Sequence, residues 1–171
     1  MRRFAVLAVV FALSCIQSGA QKLPSNVADA AIFVRKFYKW YVPVAKKSKD
    51  RPAEIALQER TSNFDPVLAA ALNEDFGMQE KSKEIVGLDW DPFLSGQDTC
   101  NSYPQSTPTA TTNTILVPVF CEQNGKLSVK AAVTAEVSYR QGQWVFVNFH
   151  YDNGQDLVTL LARLKKDREK R

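Results

Sequence analysis

The sequence predicts an α+β fold, and three patterns carry that prediction. Residues 26–42 place a broad aromatic stripe at helical spacing. Residues 127–139 alternate apolar and polar side chains almost without a break. A last segment repeats leucine at helical intervals. Helices first and strands afterwards, in one chain of this length, imply N-terminal helices packed on a curved antiparallel sheet and closed by a C-terminal helix.

Element by element, Pro24-Ser25 offers a start signal for the first helix. Val27, Ala30, Val34, Phe37 and Tyr41 then form one stripe, widened by Phe33, Tyr38 and Trp40, and Pro43 disturbs the end. A face so wide and aromatic has to lie against something large, most simply a sheet. Lys46 to Arg51 reads as a charged connection. Pro52 opens a short helix over 53–60, and Asp65-Pro66 supplies a cap and first turn for a third helix stopped at Gly77. Asn124-Gly125 and Gln141-Gly142 are hairpin turns, so residues 114–121, 127–139 and 143–151 form a three-stranded meander. Pro118 cannot donate to a ladder, which makes its strand an edge or a bulged one. After Asp152-Asn153-Gly154, a final helix carries Leu157, Leu160, Leu161 and Leu164 on one side.

The N-terminus sets the expected compartment. Arg2 and Arg3, an apolar run over residues 4–13 and the small residues Ser18-Gly19-Ala20 form a signal peptide over 1–20. The run is too short to span a bilayer. No later segment supplies a transmembrane helix, so the expected location is periplasmic or extracellular. The rival reading takes Ala12-Leu13-Ser14-Cys15 as a lipidation site, with Cys15 modified. Residues 21–171 then form one domain.

Of 22 basic residues, Arg2 and Arg3 leave with the signal peptide, so 20 remain against 18 acidic ones and the net charge is +2. The tail 163–171 holds six basic and two acidic residues, leaving residues 21–162 at −2. The basic character belongs to the ends, which argues against a nucleic-acid-binding core. The tail itself reads as a solvated helix end.

Cys100 and Cys121 read as a disulfide around about 20 residues, stabilising by about 3 kcal/mol. The alternative, a nucleophilic cysteine, would need the lone His150 as its base. Neither metal-binding spacing nor any cofactor motif is present in the sequence. The intervening loop 102–114, rich in Thr, Ser and Pro, reads as a flexible surface loop, with a partner-contacting rim as the alternative.

The stretches "FVRKFYKWYV", "DWDPFLSGQD", "EQNGK" and "QWVFVNFHYDNG" resemble, in that order, the domain-of-unknown-function 3828 family of exported bacterial proteins. That resemblance covers roughly residues 28–164 and implies a cone fold like that of nuclear transport factor two and the cystatins. It brings a shape with a pocket rather than an activity.

Candidate site residues follow. A hollow between helix and sheet would be lined by Phe37, Tyr38, Trp40, Tyr41, Trp90 and Phe146, although Tyr38 and Tyr41, on an apolar helical stripe, read first as core. Asp91-Pro92 repeats the cap arrangement of Asp65-Pro66, so "DWDPFLSGQDTC" reads as a clasp over one end of the cone. The competing reading makes Asp91 or Asp98 a general base, its pKa raised by aromatic neighbours, with His150 as its acid partner and Asp152 beside it. Strand alternation places His150 on the face of Trp144, Phe146 and Asn148. Three functions are therefore open: a non-catalytic binding domain for a small apolar ligand, a peptide or an envelope component such as an envelope protein; an immunity- or inhibitor-type interaction module; and a hydratase- or isomerase-like enzyme.

Overall fold

The computed structural model describes residues 27–48, 51–82 and 86–170. The signal peptide expected over 1–20, the rival lipidation site at Cys15 and the Pro24-Ser25 start signal lie outside the described residues. The architecture is α+β, in the order α1 (Val27–Lys47), α2 (Pro52–Glu59), a 3-10 turn (Thr61–Asn63), α3 (Pro66–Lys81), six strands and α4 (Leu157–Arg168). The strands are β1 (Thr109–Ala110), β2 (Ile115–Val119), β3 (Glu122–Gln123), β4 (Lys126–Leu127), β5 (Val133–Arg140) and β6 (Gln143–Tyr151). Four form one antiparallel sheet in the order β1-β2-β5-β6, and β3 and β4 pair separately. Among the described residues no helix is long and apolar enough to cross a membrane.

Helix α1 buries Ala30, Val34, Phe37, Tyr38, Tyr41, Val42 and Ala45, the stripe that helical spacing dictates. It runs through Pro43 instead of ending there. Pro43 is exposed while Val42 and Ala45 are buried on either side, so packing holds the turn despite the missing donor. Helix α3 likewise passes Gly77 to Lys81. Buried Asp75 and Phe76 anchor its last turns, and Gln79 donates to the Leu88 carbonyl at 2.8 Å. Asp65 caps α3 by accepting from the Val67 N–H at 3.0 Å, as its position before Pro66 predicts.

Within the sheet, Val133, Ala135 and Val137 of β5 face the core. The long strand expected over 127–139 is split. Ser128 folds back on Cys121, its N–H donating to the Cys121 carbonyl at 2.8 Å and its hydroxyl accepting from the Cys121 N–H at 3.1 Å. Residues 128–131 therefore leave the ladder, which Ala132 rejoins through the Val119 carbonyl at 2.9 Å, and Val129 is fully exposed. Asn124 and Gly125, at φ 53 and 74, form the left-handed pair that a two-residue hairpin needs, here between β3 and β4. Pro118 sits inside β2, paired with Thr134, and its carbonyl accepts from the Ser106 N–H at 3.0 Å. The missing N–H thus falls on the side away from β5.

A bulge between Glu136 and Val137 changes the parity of β6. Phe146 pairs with Val137 and Phe149 with Ala135, both inward, whereas Asn148 and His150 pair with Glu136 and Thr134 on the outer face. His150 therefore does not share a face with Trp144 and Phe146, as uninterrupted alternation predicts, because one extra residue reverses every side chain beyond it.

The space between α1 and the sheet is filled. Phe37 meets Phe146 at 4.8 Å between ring centroids, Tyr41 at 5.2 Å, and Phe64 and Phe93 at 5.8 Å. Phe93 and Phe146 each lie 5.0 Å from Phe149. These rings occupy the volume in which the sequence predicts a hollow. Aromatic side chains of this size close-pack instead of lining a void.

Two further expectations change. Residues 102–114 are not a free loop. Ser102 and Glu122 exchange backbone bonds, Gln105 bridges Val119, and Thr109–Ala110 pairs with β2. The basic tail is not simply solvated either: Arg168 forms a buried ion pair with Asp75, and Lys165 reaches Glu74 at 3.0 Å.

Candidate functional site

The stretch before Cys100 is pinned at both ends. At its start, the Asp75 carboxylate accepts from the Leu88 N–H at 2.9 Å and from Gln79, and Arg168 bonds both Asp75 and the Val86 carbonyl. Gly87 passes so close that a β-carbon there would lie 2.5 Å from Asp75 Oδ2. At its end, Cys100 and Cys121 are joined in a disulfide with a Cα–Cα separation of 5.7 Å. The Tyr103 hydroxyl accepts from the Cys100 N–H at 3.3 Å.

Between these anchors, residues 91–96 form a tight turn built on Asp91. Its Oδ1 accepts from the N–H groups of Phe93 at 2.9 Å and Leu94 at 3.2 Å, and its carbonyl accepts from Ser95 at 2.9 Å. Three tyrosines from two distant elements hold this turn. The Tyr38 hydroxyl donates to the Phe93 carbonyl at 2.7 Å, Tyr151 to the Pro92 carbonyl at 3.1 Å, and Tyr41 to Asp91 Oδ2 at 2.6 Å. Pro92, Phe93 and Leu94 are buried beneath it.

Burial pushes the Asp91 carboxyl up from 3.8 to about 6, against the lowering effect of the bonds from Tyr41, Phe93 and Leu94. The same burial, reinforced by the Asp91 charge, drives the Tyr38 and Tyr41 hydroxyls well above their ordinary range.

Asp91 lines a cleft of about 320 Å³ between the end of α1, the start of α2, α3 and the 88–99 segment. Ala45, Phe76 and Leu88 give it apolar walls, Gln79 and Gln97 give it amides, and Trp90 stands at its side, edge-on to Tyr151 at 4.7 Å. Arg51, also in the lining, is engaged by Glu54 and Glu80 at 2.9 and 3.5 Å.

The other candidates scatter. Asp98 is exposed, and neither it nor His150 lines the Asp91 cleft. On the outer face of the sheet, His150 Nε2 lies 2.7 Å from Glu136 Oε2, and Glu136 Oε1 accepts from the Thr114 hydroxyl at 2.7 Å. The carboxylate beside His150 is thus Glu136 on the neighbouring strand, not Asp152, which lies exposed in the turn. The six predicted pocket residues also separate. Phe37, Tyr38, Tyr41 and Phe146 are buried core, whereas Trp90 borders the Asp91 cleft. Trp40 carries the Arg60 guanidinium 4.9 Å above its ring, in a small cleft of its own.

Sequence reasoning missed Asp75, Arg168 and Glu136. Only the last left a usable signal, its place on the polar face of β5 within a diagonal of His150. Among the described residues no group of three or more His, Cys, Asp or Glu side chains could hold a metal ion.

Fold and site together define a disulfide-stapled α+β domain with a solid aromatic core and clefts at its surface. No family model, curated protein or solved structure gives a match to this chain.

Proposed function

We propose that this chain is an exported bacterial binding domain that holds a small ligand in the cleft beside Asp91 and Trp90 without transforming it chemically. The observation that carries this reading is the state of Asp91. A neutral asparagine would cap the 91–94 turn as well, yet the turn keeps a carboxylate at the edge of a cleft, where burial works against its charge. The cleft volume lies within the range of small-molecule sites, and its few polar groups converge from three elements.

The proposed export rests on the signal peptide over 1–20, with release into the periplasm or medium preferred to lipidation at Cys15. The cone fold of the domain-of-unknown-function 3828 family stays within this proposal and rests on the quoted stretches. A hydratase- or isomerase-type mechanism is not adopted, because Asp91 lies on the α1 side of the sheet and His150 on the opposite face. Exposed Leu127 and Val129, beside the hairpin that the disulfide supports, favour a second reading as a contact point for an envelope protein.

The test is a small-molecule screen on residues 21–171 by nuclear magnetic resonance. Binders are expected to shift the Trp90 indole signal together with the Gln79 and Gln97 side-chain amides, and Trp90→Ala should abolish the effect in a folded protein. A diverse library that moves none of these signals sinks the proposal.

A further inference from the structure

A second groove, of opposite electrostatic character, runs along the outer side of α1. Arg35 and Lys39 stand one turn apart on the exposed face, and among the described residues neither forms a hydrogen bond or ion pair. Elsewhere near this helix Lys46 donates to the Asn101 carbonyl at 3.0 Å and Arg60 stacks on Trp40, while Lys36 and Lys47, outside the groove, also form no hydrogen bond or ion pair among the described residues.

Opposite this face runs the 101–105 strap, which is held firmly. Ser102 is bonded to Glu122, the Asn101 N–H donates to Gln123 at 2.9 Å, and the adjoining Cys100 is in the disulfide. The Tyr103 ring stacks on Tyr38 at 6.0 Å. Between helix and strap lies a groove of about 510 Å³ with Tyr38, Val42 and Tyr103 at its base. Among the described residues, its only charged lining side chains are Arg35 and Lys39, both positive.

We propose that this groove binds a carboxylate-bearing amphiphile, with the carboxylate between Arg35 and Lys39 and the apolar body along Tyr38, Val42 and Tyr103. The guanidinium fork of Arg35 matches a planar carboxylate, and Lys39 one turn on adds a second, movable donor. The opposite wall is already fixed by backbone bonds and a disulfide, so little ordering has to accompany binding. The groove shares no lining residue with the Asp91 cleft, which opens off the C-terminal end of α1 and contains carboxylates.

The test uses isotope-labelled residues 21–171 titrated separately with octanoate, octanol, octylamine and a glutamate-rich peptide at fixed ionic strength. Octanoate is expected to shift the amides of Arg35, Lys39 and residues 101–105, more tightly at low salt than at high salt. The double variant Arg35→Gln/Lys39→Gln should keep the rest of the spectrum unchanged and bind octanoate about tenfold more weakly. Equal binding of octanol or octylamine would reduce the groove to a non-specific apolar surface and overturn the proposal. It is also overturned by unchanged octanoate affinity in the double variant, by no groove response at millimolar octanoate, or by shifts with the acidic peptide alone.

Discussion

The Tyr41 hydroxyl donates to the Asp91 carboxylate across 2.6 Å, tying the first helix to a turn fifty residues later. Because the same carboxylate caps its own turn through Phe93 and Leu94, one side chain joins the local geometry of the clasp to the aromatic core. Its energetics are therefore measurable by substitution.

Asp91→Asn should leave the protein as stable as wild type at neutral pH or more so. The folded-state carboxyl titrates at about 6, above its ordinary 3.8, so the folded state holds the proton more tightly than the unfolded one. This group's contribution is present in full below about pH 4 and declines as the pH rises to about 6, by up to about 3 kcal/mol. Urea unfolding of both proteins from pH 4 to pH 7 checks this. The variant should gain on wild type as the pH rises, and parallel curves would show that Asp91 is not desolvated.

Tyr41→Phe should act in the opposite sense. It removes a donor from a carboxylate that burial already disfavours, so stability at neutral pH should fall by about 1–3 kcal/mol. The Asp91 titration, followed by carbon-detected magnetic resonance, should move further upward. A downward shift would show that the hydroxyl does not support the charged form.

Arg168→Ala should be severe for a residue so near the C-terminus. It leaves Asp75 buried without its cation, which costs about 3–5 kcal/mol. Gly87→Ala should be comparably harmful, because its methyl group would fall on Asp75 and Gln79. Denaturant midpoints measure both, and near-wild-type values would show the tail to be dispensable.

Replacing Cys100 and Cys121 together by serine should lower stability by about 3 kcal/mol and increase hydrogen exchange in residues 101–105. Unchanged exchange there would mean that the backbone bonds to Glu122 and Phe120 hold the strap without help.

Phe37→Ala should cost about 3–5 kcal/mol, since Phe37 stands among Tyr41, Phe64, Phe93 and Phe146. A mild effect in calorimetry would mean that the core tolerates the hollow that the structure lacks.

Several elements were legible because their causes are local. The α1 stripe, the cap at Asp65, the hairpin pair Asn124-Gly125 and the inward face of β5 depend on residues within a turn or two of one another. Element ends were less legible. α1 passes Pro43 and α3 passes Gly77 because tertiary burial outweighs a missing donor and a flexible backbone.

By itself, then, the sequence determined the α+β class, the order of helices and strands and the residues able to reach the core, since periodicity and turn chemistry are properties of neighbours along the chain. Only the tertiary structure decided that the aromatic stripe fills its own hollow, that one bulge turns His150 away from Asp91, and that Asp91 alone of its stretch lies desolvated under Tyr41. Those outcomes depend on strand register and on which rings meet across the fold, and a one-residue shift in register reverses a face without altering the local pattern.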